Sequence, residues 1–171
     1  MKNIVLCGFM GCGKSTVGKN LARKSGMKFV DMDSYIVEKA GMTVSEIFEK
    51  FGEAHFRDLE HQACVELSEK SNLVIASGGG AFTFERNVKV FKGKDKIVLI
   101  DVPFQVIKYR LRNDKKRPLL QSPDKDEVMK QLYEKRLPMY NNAADVKVSG
   151  QNTPVKTALS IIAAVKQHKN S

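Results

Sequence analysis

Apolar residues are spaced along the chain in two alternating rhythms. Short segments centred on apolar, mostly β-branched residues recur at 3–7, 28–31, 73–76, 96–101 and 145–148. Each is too short for a stable helix and predicts a buried strand. Between them the apolar spacing lengthens to three or four. Over 14–25, Val17, Leu21 and Ala22 share one helical face, and Gly26 is placed to end it. Helical segments are also predicted over 33–70, with breaks near Gly41 and Gly52, and over 84–91, 126–140 and 154–168. Another runs over 103–111, with Pro103 at its first turn. Residues 112–124 contain two prolines and no period, so a loop is expected there. Strands alternating with helices imply an α/β fold in three layers: a parallel five-stranded sheet flanked by helices. The pattern shows no internal repeat and no linker, so 1–171 reads as a single domain.

Composition narrows the class. A chain of 171 residues with 42% hydrophobic and 28% charged residues suits one soluble domain. It needs no disulfide or metal staple. Cys7, Cys12 and Cys64 are scattered and form no CxxC pair. That argues against a disulfide framework or a zinc site and for a reducing, cytoplasmic compartment. No stretch approaches the roughly 18 apolar residues of a membrane span. Lys2 precedes an apolar run, but Gly8, Gly11, Gly13 and Lys14 interrupt it and no small-residue cleavage site follows. A signal peptide is therefore not expected.

Lys and Arg number 29 against 19 Asp and Glu, a net charge of +10. Such a chain attracts anions: nucleic acid, acidic lipid or phosphorylated small molecules. Half of the excess lies between Lys108 and Arg117, where Lys108, Arg110, Arg112, Lys115, Lys116 and Arg117 face one acid, Asp114. Taken alone, this stretch is equally a solvated basic face or a device that meets phosphate.

The sharpest motif is Gly8-Phe9-Met10-Gly11-Cys12-Gly13-Lys14-Ser15, which fits G-x-x-x-x-G-K-[ST] between a predicted strand and a predicted helix. Glycines let backbone N–H groups turn inward around an anion, and the helix N-terminus adds partial positive charge. A triphosphate is expected on Gly11, Cys12, Gly13, Lys14, Ser15 and Thr16. Lys14 would reach the β- and γ-phosphates and Ser15 would ligate Mg²⁺. Cys12 reads as a small filler more than as a reactive thiol. The chain is too short for helicase machinery. Asn142-Ala143-Ala144-Asp145 lacks the lysine of the guanine-reading N-K-x-D motif. The size argues for a small-molecule kinase.

Ligands of such sheets bind beyond the carboxyl ends of the strands. Asp31-Met32-Asp33 lies at one such end. If the strand persists, both carboxylates point to one face. One can then hold water on Mg²⁺, and the other can take a proton from an acceptor hydroxyl. Asp33 can equally be the N-cap of the next helix. In Gly52-Glu53-x-x-Phe56-Arg57-x-x-Glu60, the carboxylate three residues on can pin the guanidinium. A pinned guanidinium is a bidentate receptor for a substrate carboxylate; an exposed pair would only steady the helix. Ser77-Gly78-Gly79-Gly80 offers bare backbone to a small ligand, or is simply a turn. Arg117-Pro118-Leu119-Leu120 closes the basic stretch, and Arg136 and Tyr140 follow four apart.

In this order and spacing, across residues 8–140, these motifs resemble the shikimate kinase family. The resemblance implies a P-loop kinase fold with a mobile lid at about 112–124 and a substrate-binding helical segment at about 33–61. It implies transfer of the ATP γ-phosphate to the 3-hydroxyl of shikimate, with Mg²⁺. By the same resemblance Asp33 would bind the reacting diol and act as base. Arg57 and Arg136 would bind the carboxylate, and Gly79 would donate a backbone hydrogen bond. Asp31 would support Mg²⁺ through water, and Arg117 on the lid would meet the transferring phosphoryl group. Arg110 would lie along adenine, helped by the segment near Asn152 to Pro154, which carries no sharp motif. The family lacks a conventional Walker B aspartate after the third strand, and Ser77-Gly78-Gly79 stands there in this chain. A cytoplasmic monomer without nucleic-acid or membrane partners is the corresponding expectation. Competing readings are a gluconate or nucleoside monophosphate kinase, a nucleic-acid-stimulated ATPase, and a catalytically dead nucleotide-binding regulator. Intact Lys14, Ser15, Asp33 and Arg117 argue against the last. His55, His61 and His168 receive no catalytic role.

Overall fold

Five parallel strands form the centre of the computed structural model, which describes residues 2–114, 121 and 123–168. They are β1 (Ile4–Cys7), β2 (Lys28–Asp31), β3 (Leu73–Ala76), β4 (Lys96–Asp101) and β5 (Val146–Ser149), in the order β2-β3-β1-β4-β5. Ile4 pairs with Val74 on one side and Lys96 on the other, so β1 lies in the middle. Covered on both faces, β1, β3 and most of β4 must be apolar throughout; Val5, Leu6, Cys7, Val74, Ile75, Ile97 and Val98 are fully buried. The edge strands β2 and β5 carry Lys28, Lys147 and Ser149 on exposed positions and Asp31 on a half-buried one.

The helices flank this sheet. They are α1 (Lys14–Ser25), α2 (Met32–Ala40), α3 (Val44–Glu69), α4 (Glu85–Phe91), α5 (Phe104–Leu111), α6 (Lys125–Ala143) and α7 (Pro154–Gln167). α1 packs on α7, α3 on α4, and α5 on α6. α1 runs close to the sheet because Gly18 has no side chain; a Cβ there would stand 2.5 Å from the Phe29 ring.

Both breaks expected between 33 and 70 are present. Gly41 ends α2 in a left-handed conformation. Gly52, at φ 82°, splits α3 into two helical pieces, which suits the one residue with no Cβ penalty there. A capping box between Thr43 and Glu46 starts α3. Other expectations need correction. β2 does not continue through Asp33: it stops at Asp31, whose carboxylate caps α2 by accepting from the Ser34 N–H at 3.2 Å. Asp33 is thus in the first turn of a helix, and the cap is Asp31. α6 extends beyond Tyr140 to Ala143, through Pro138. β5 starts one residue late because the Asp145 backbone and carboxylate bond Ile97 and close the strand's entry.

The expected lid falls mainly on residues 115–120 and 122, Arg117 among them, which lie outside the described residues. Among the described residues no helix is long and apolar enough to cross a membrane.

Candidate active site

The loops after β1 and β3 and the junction of β2 with α2 open on one rim of the sheet, where α3 and α6 also contribute. Together they surround a cavity of about 940 Å³. The first wall is the loop 8–13 and the start of α1. Gly8, Gly11 and Gly13 have φ of 143°, 76° and 97°, which side-chain-bearing residues rarely adopt. A Cβ on Gly8 would also stand 2.8 Å from the Ile100 carbonyl. The first helical bond joins the Val17 N–H to Gly13 O at 2.9 Å. The N–H groups of Lys14, Ser15 and Thr16 therefore have no partner within the helix, the usual makings of an anion site. The Lys14 ammonium donates to the carbonyls of Gly8 (2.7 Å) and Phe9 (3.1 Å). Cys12 faces inward: its thiol is buried and its N–H donates to Phe9 O.

Beside the loop, the Ser15 hydroxyl donates to Asp31 Oδ2 at 2.7 Å, while Asp31 Oδ1 holds the α2 cap. No group of three or more His, Cys, Asp or Glu side chains able to hold a metal occurs among the described residues. One hydroxyl and one carboxylate fit Mg²⁺, which keeps several waters and takes its other ligands from phosphate oxygens.

The opposite wall is built around Arg57. Its guanidinium meets Glu60 at 2.5 Å and Glu53 at 3.1 Å, and lies over the rings of Phe56 and Phe84. The Glu60 side chain is 1% exposed, so the pair is not a surface ornament. Burial raises the pKa of Glu60, against the opposing pull of Arg57. Burial works to lower that of Arg57, but Glu60 and Glu53 outweigh it and the net shift is upward. Arg86 steadies the turn, donating to Arg57 O and Asp58, both at 2.9 Å.

The glycine run forms the floor, and two of its members lie close against charged side chains. A Cβ on Gly78 would stand 2.8 Å from both Asp33 Oδ1 and Glu60 Oε1. One on Gly80 would stand 2.6 Å from Arg57 Nη1. A side chain at either position would have to displace these charged groups. Arg136, from α6, completes the pocket next to Gly79. Asp33, Arg57, Gly79 and Arg136 thus line one cavity with Gly11, Gly13, Lys14, Ser15, Thr16 and Asp31.

Arg110 and Asn152 do not line that cavity. Arg110 spans the back of the loop, donating to Gly150 O at 2.7 Å and Gly11 O at 3.3 Å. Asn152 is exposed in the bend before α7. Sequence reasoning gave no part to Met10, Phe48 and Glu49, which also line the cavity. The contact of Tyr140 with Gly79 O is not evident from the motif; its spacing of four from Arg136 is the one signal of it. His61, given no role, bonds the buried Asn87 at 2.9 Å, and Asn87 holds Ala81 O at 2.8 Å, steadying the turn after the glycines.

A parallel sheet with a G-x-x-x-x-G-K-S loop on its middle strand, opening on a large cavity, defines a P-loop kinase fold. The family model described as Shikimate kinase matches residues 10–166. The curated shikimate kinase of Sulfurihydrogenibium sp. (strain YO3AOP1) is 42% identical over 168 residues, 98% of this chain and 99% of that one. A solved shikimate kinase from Acinetobacter baumannii, in complex with shikimate, is 35% identical with a TM-score of 0.93, covering 100% of this chain and 96% of that one. Shikimate kinase from Aquifex aeolicus is 40% identical with a TM-score of 0.87 and 98% coverage of each chain. The chain belongs to the shikimate kinase family.

Proposed function

We propose that this protein transfers the γ-phosphoryl group of ATP to the 3-hydroxyl of shikimate, forming shikimate 3-phosphate and ADP with Mg²⁺ as the metal. The observation that carries this reading is the cavity itself: two guanidinium groups, Arg57 and Arg136, line it together with Asp33 and the glycine loop. Phosphoryl transfer passes through a loose transition state, so positioning and positive charge dominate catalysis.

The N–H groups at the start of α1, with Gly11 and Gly13, take the phosphates. The Lys14 ammonium exchanges the Gly8 and Phe9 carbonyls for phosphate oxygens. Cys12 backs this loop as a filler. The Ser15 hydroxyl and, through water, Asp31 would hold Mg²⁺, which would supply neutralising charge at the phosphates. Arg57 and Arg136 bind the shikimate carboxylate, and Gly79 donates a backbone hydrogen bond. This fixes the ring so that Asp33 meets the reacting diol and takes the proton of the 3-hydroxyl. Arg110 and the segment around Asn152 hold adenine. Arg117 meets the transferring phosphoryl group; that role rests on its motif alone. The protein acts as a cytoplasmic monomer on small molecules, without nucleic acid or membrane. Its three unpaired, buried cysteines fit a reducing compartment.

The test is ADP release measured in parallel with shikimate, gluconate, nucleoside monophosphates and nucleic acid as added partners. Shikimate alone is expected to support turnover; turnover only with another addition refutes the reading. Arg136→Ala should raise the KM for shikimate roughly 10- to 100-fold, the worth of charged hydrogen bonds, while the KM for ATP stays nearly constant. Equal changes in both would place the carboxylate elsewhere.

Asp31 has two separable duties. Asp31→Ala removes the α2 cap and should cost about 1 kcal/mol of stability, whereas Asp31→Asn keeps the cap. Both should raise the Mg²⁺ concentration needed for half-maximal activity. Thermal melting and Mg²⁺ titration of the two variants separate these effects; unchanged Mg²⁺ dependence in both removes Asp31 from the metal.

A further inference from the structure

The run Gly78–Gly80 has no side chains to anchor it, yet the acceptor pocket depends on where its backbone lies. Two of its carbonyls are taken up locally. Gly78 O accepts from the Ala81 N–H at 3.2 Å. Gly80 O accepts from the Thr83 N–H at 3.2 Å and the Thr83 hydroxyl at 2.7 Å. The Gly79 carbonyl is held from a different element, by the Tyr140 hydroxyl of α6. Tyr140 is 1% exposed, its ring fixed in the core. It lies one helical turn after Arg136, on the same face of α6. The Arg136 guanidinium lies beside the same glycine, its Nη1 3.9 Å from where a Cβ on Gly79 would stand. Burial, the largest influence on this phenol, raises its pKa, so it remains a proton donor at neutral pH.

We propose that Tyr140 is a positioning residue for the acceptor: its hydroxyl, donating to the Gly79 carbonyl from the helix that also carries Arg136, sets the glycine turn and the α6 arginine at a fixed separation. A carboxylated ligand spanning both then meets its donors already in place, with less ordering left to do on binding. The proposal rests on the shikimate kinase reading and adds to it a residue that touches no reacting atom. It also accounts for a buried tyrosine where a phenylalanine would fill the core equally well.

The test is Tyr140→Phe, which keeps the ring. Loss of this buried hydrogen bond should raise the KM for shikimate about three- to tenfold, with kcat and the KM for ATP changing less than about twofold. In the unliganded protein, amide hydrogen exchange over 78–80 should accelerate while exchange in β1 and β3 stays as in the parent. A purely structural tyrosine would instead change both KM values together, or speed exchange throughout the sheet; either result overturns the proposal. Unchanged exchange over 78–80 also overturns it, as does faster exchange with an unchanged KM for shikimate. If the parent protein fails to turn over shikimate, the acceptor reading falls by itself. The exchange measurement still decides the tether: faster exchange confined to 78–80 upholds it and no change refutes it.

Discussion

Asp33→Asn is expected to lower kcat by about 10²- to 10⁴-fold, the range over which a positioned general base contributes. Nucleotide affinity should remain close to that of the parent. The expectation follows from where Asp33 lies. It is in the first turn of α2, relieved of capping by Asp31, and its Oδ1 lies against the bare backbone of Gly78. It lines the same cavity as Lys14, Arg57 and Arg136. An amide preserves shape and hydrogen-bonding reach but cannot take a proton. Single-turnover kinetics with saturating ATP, together with titration of an ATP analogue, checks both halves. Full turnover in the variant would remove Asp33 from the chemistry. Loss of nucleotide binding would make it part of the cradle instead.

Arg57→Met should be costly in two separable ways. The Glu60 side chain, 1% exposed, would lose its 2.5 Å partner. Breaking a buried pair from one side costs about 3–5 kcal/mol, because a desolvated charge is left behind. The pH dependence has a definite sign. Burial already raises the folded-state pKa of Glu60, and Arg57 opposes it. Removing Arg57 raises it further. A raised carboxyl pKa favours the folded state below the unfolded value, and that benefit is lost as pH rises through the folded value. The stability deficit of Arg57→Met should therefore be smaller in acid than at neutral pH. Chemical denaturation across that range measures it; a deficit that grows toward acid contradicts the assignment. The double variant Arg57→Met/Glu60→Leu removes both charges and should recover much of the lost stability. It should not recover shikimate binding, because Glu60 acts through the arginine. Restored stability with restored binding would mean that Arg57 serves the fold alone.

What the sequence reveals follows from which forces are local. The strands β1, β3 and β4 are legible because a parallel strand covered on both faces is a short apolar run bounded by turn residues. The glycine loop is legible because three positive-φ positions leave little choice of residue. Strand order is not legible, since it depends on which crossover each helix makes. The end of β2 is misread because Asp31 and Asp33 satisfy a strand pattern and a cap pattern alike. Only the bond from Asp31 to the Ser34 N–H decides between them. α6 ends late because Tyr133, bonded to Val102 O, and the buried Tyr140 anchor it across Pro138 by tertiary contacts. For the site, Arg57 and Glu60 are visible as a spaced pair, but that Glu60 is buried, and so costly to orphan, emerges only when the glycine run packs over it. Tyr140 is hidden for the same reason: its partner, Gly79, is 61 residues away in sequence.

A crystal structure of the protein with ADP, Mg²⁺ and shikimate bears most directly on the whole account. The expected result has the shikimate carboxylate between Arg57 and Arg136, the 3-hydroxyl at Asp33, and the nucleotide phosphates on the start of α1. Shikimate bound anywhere outside this cavity, or within it but with its 3-hydroxyl turned away from the phosphates, would contradict the account.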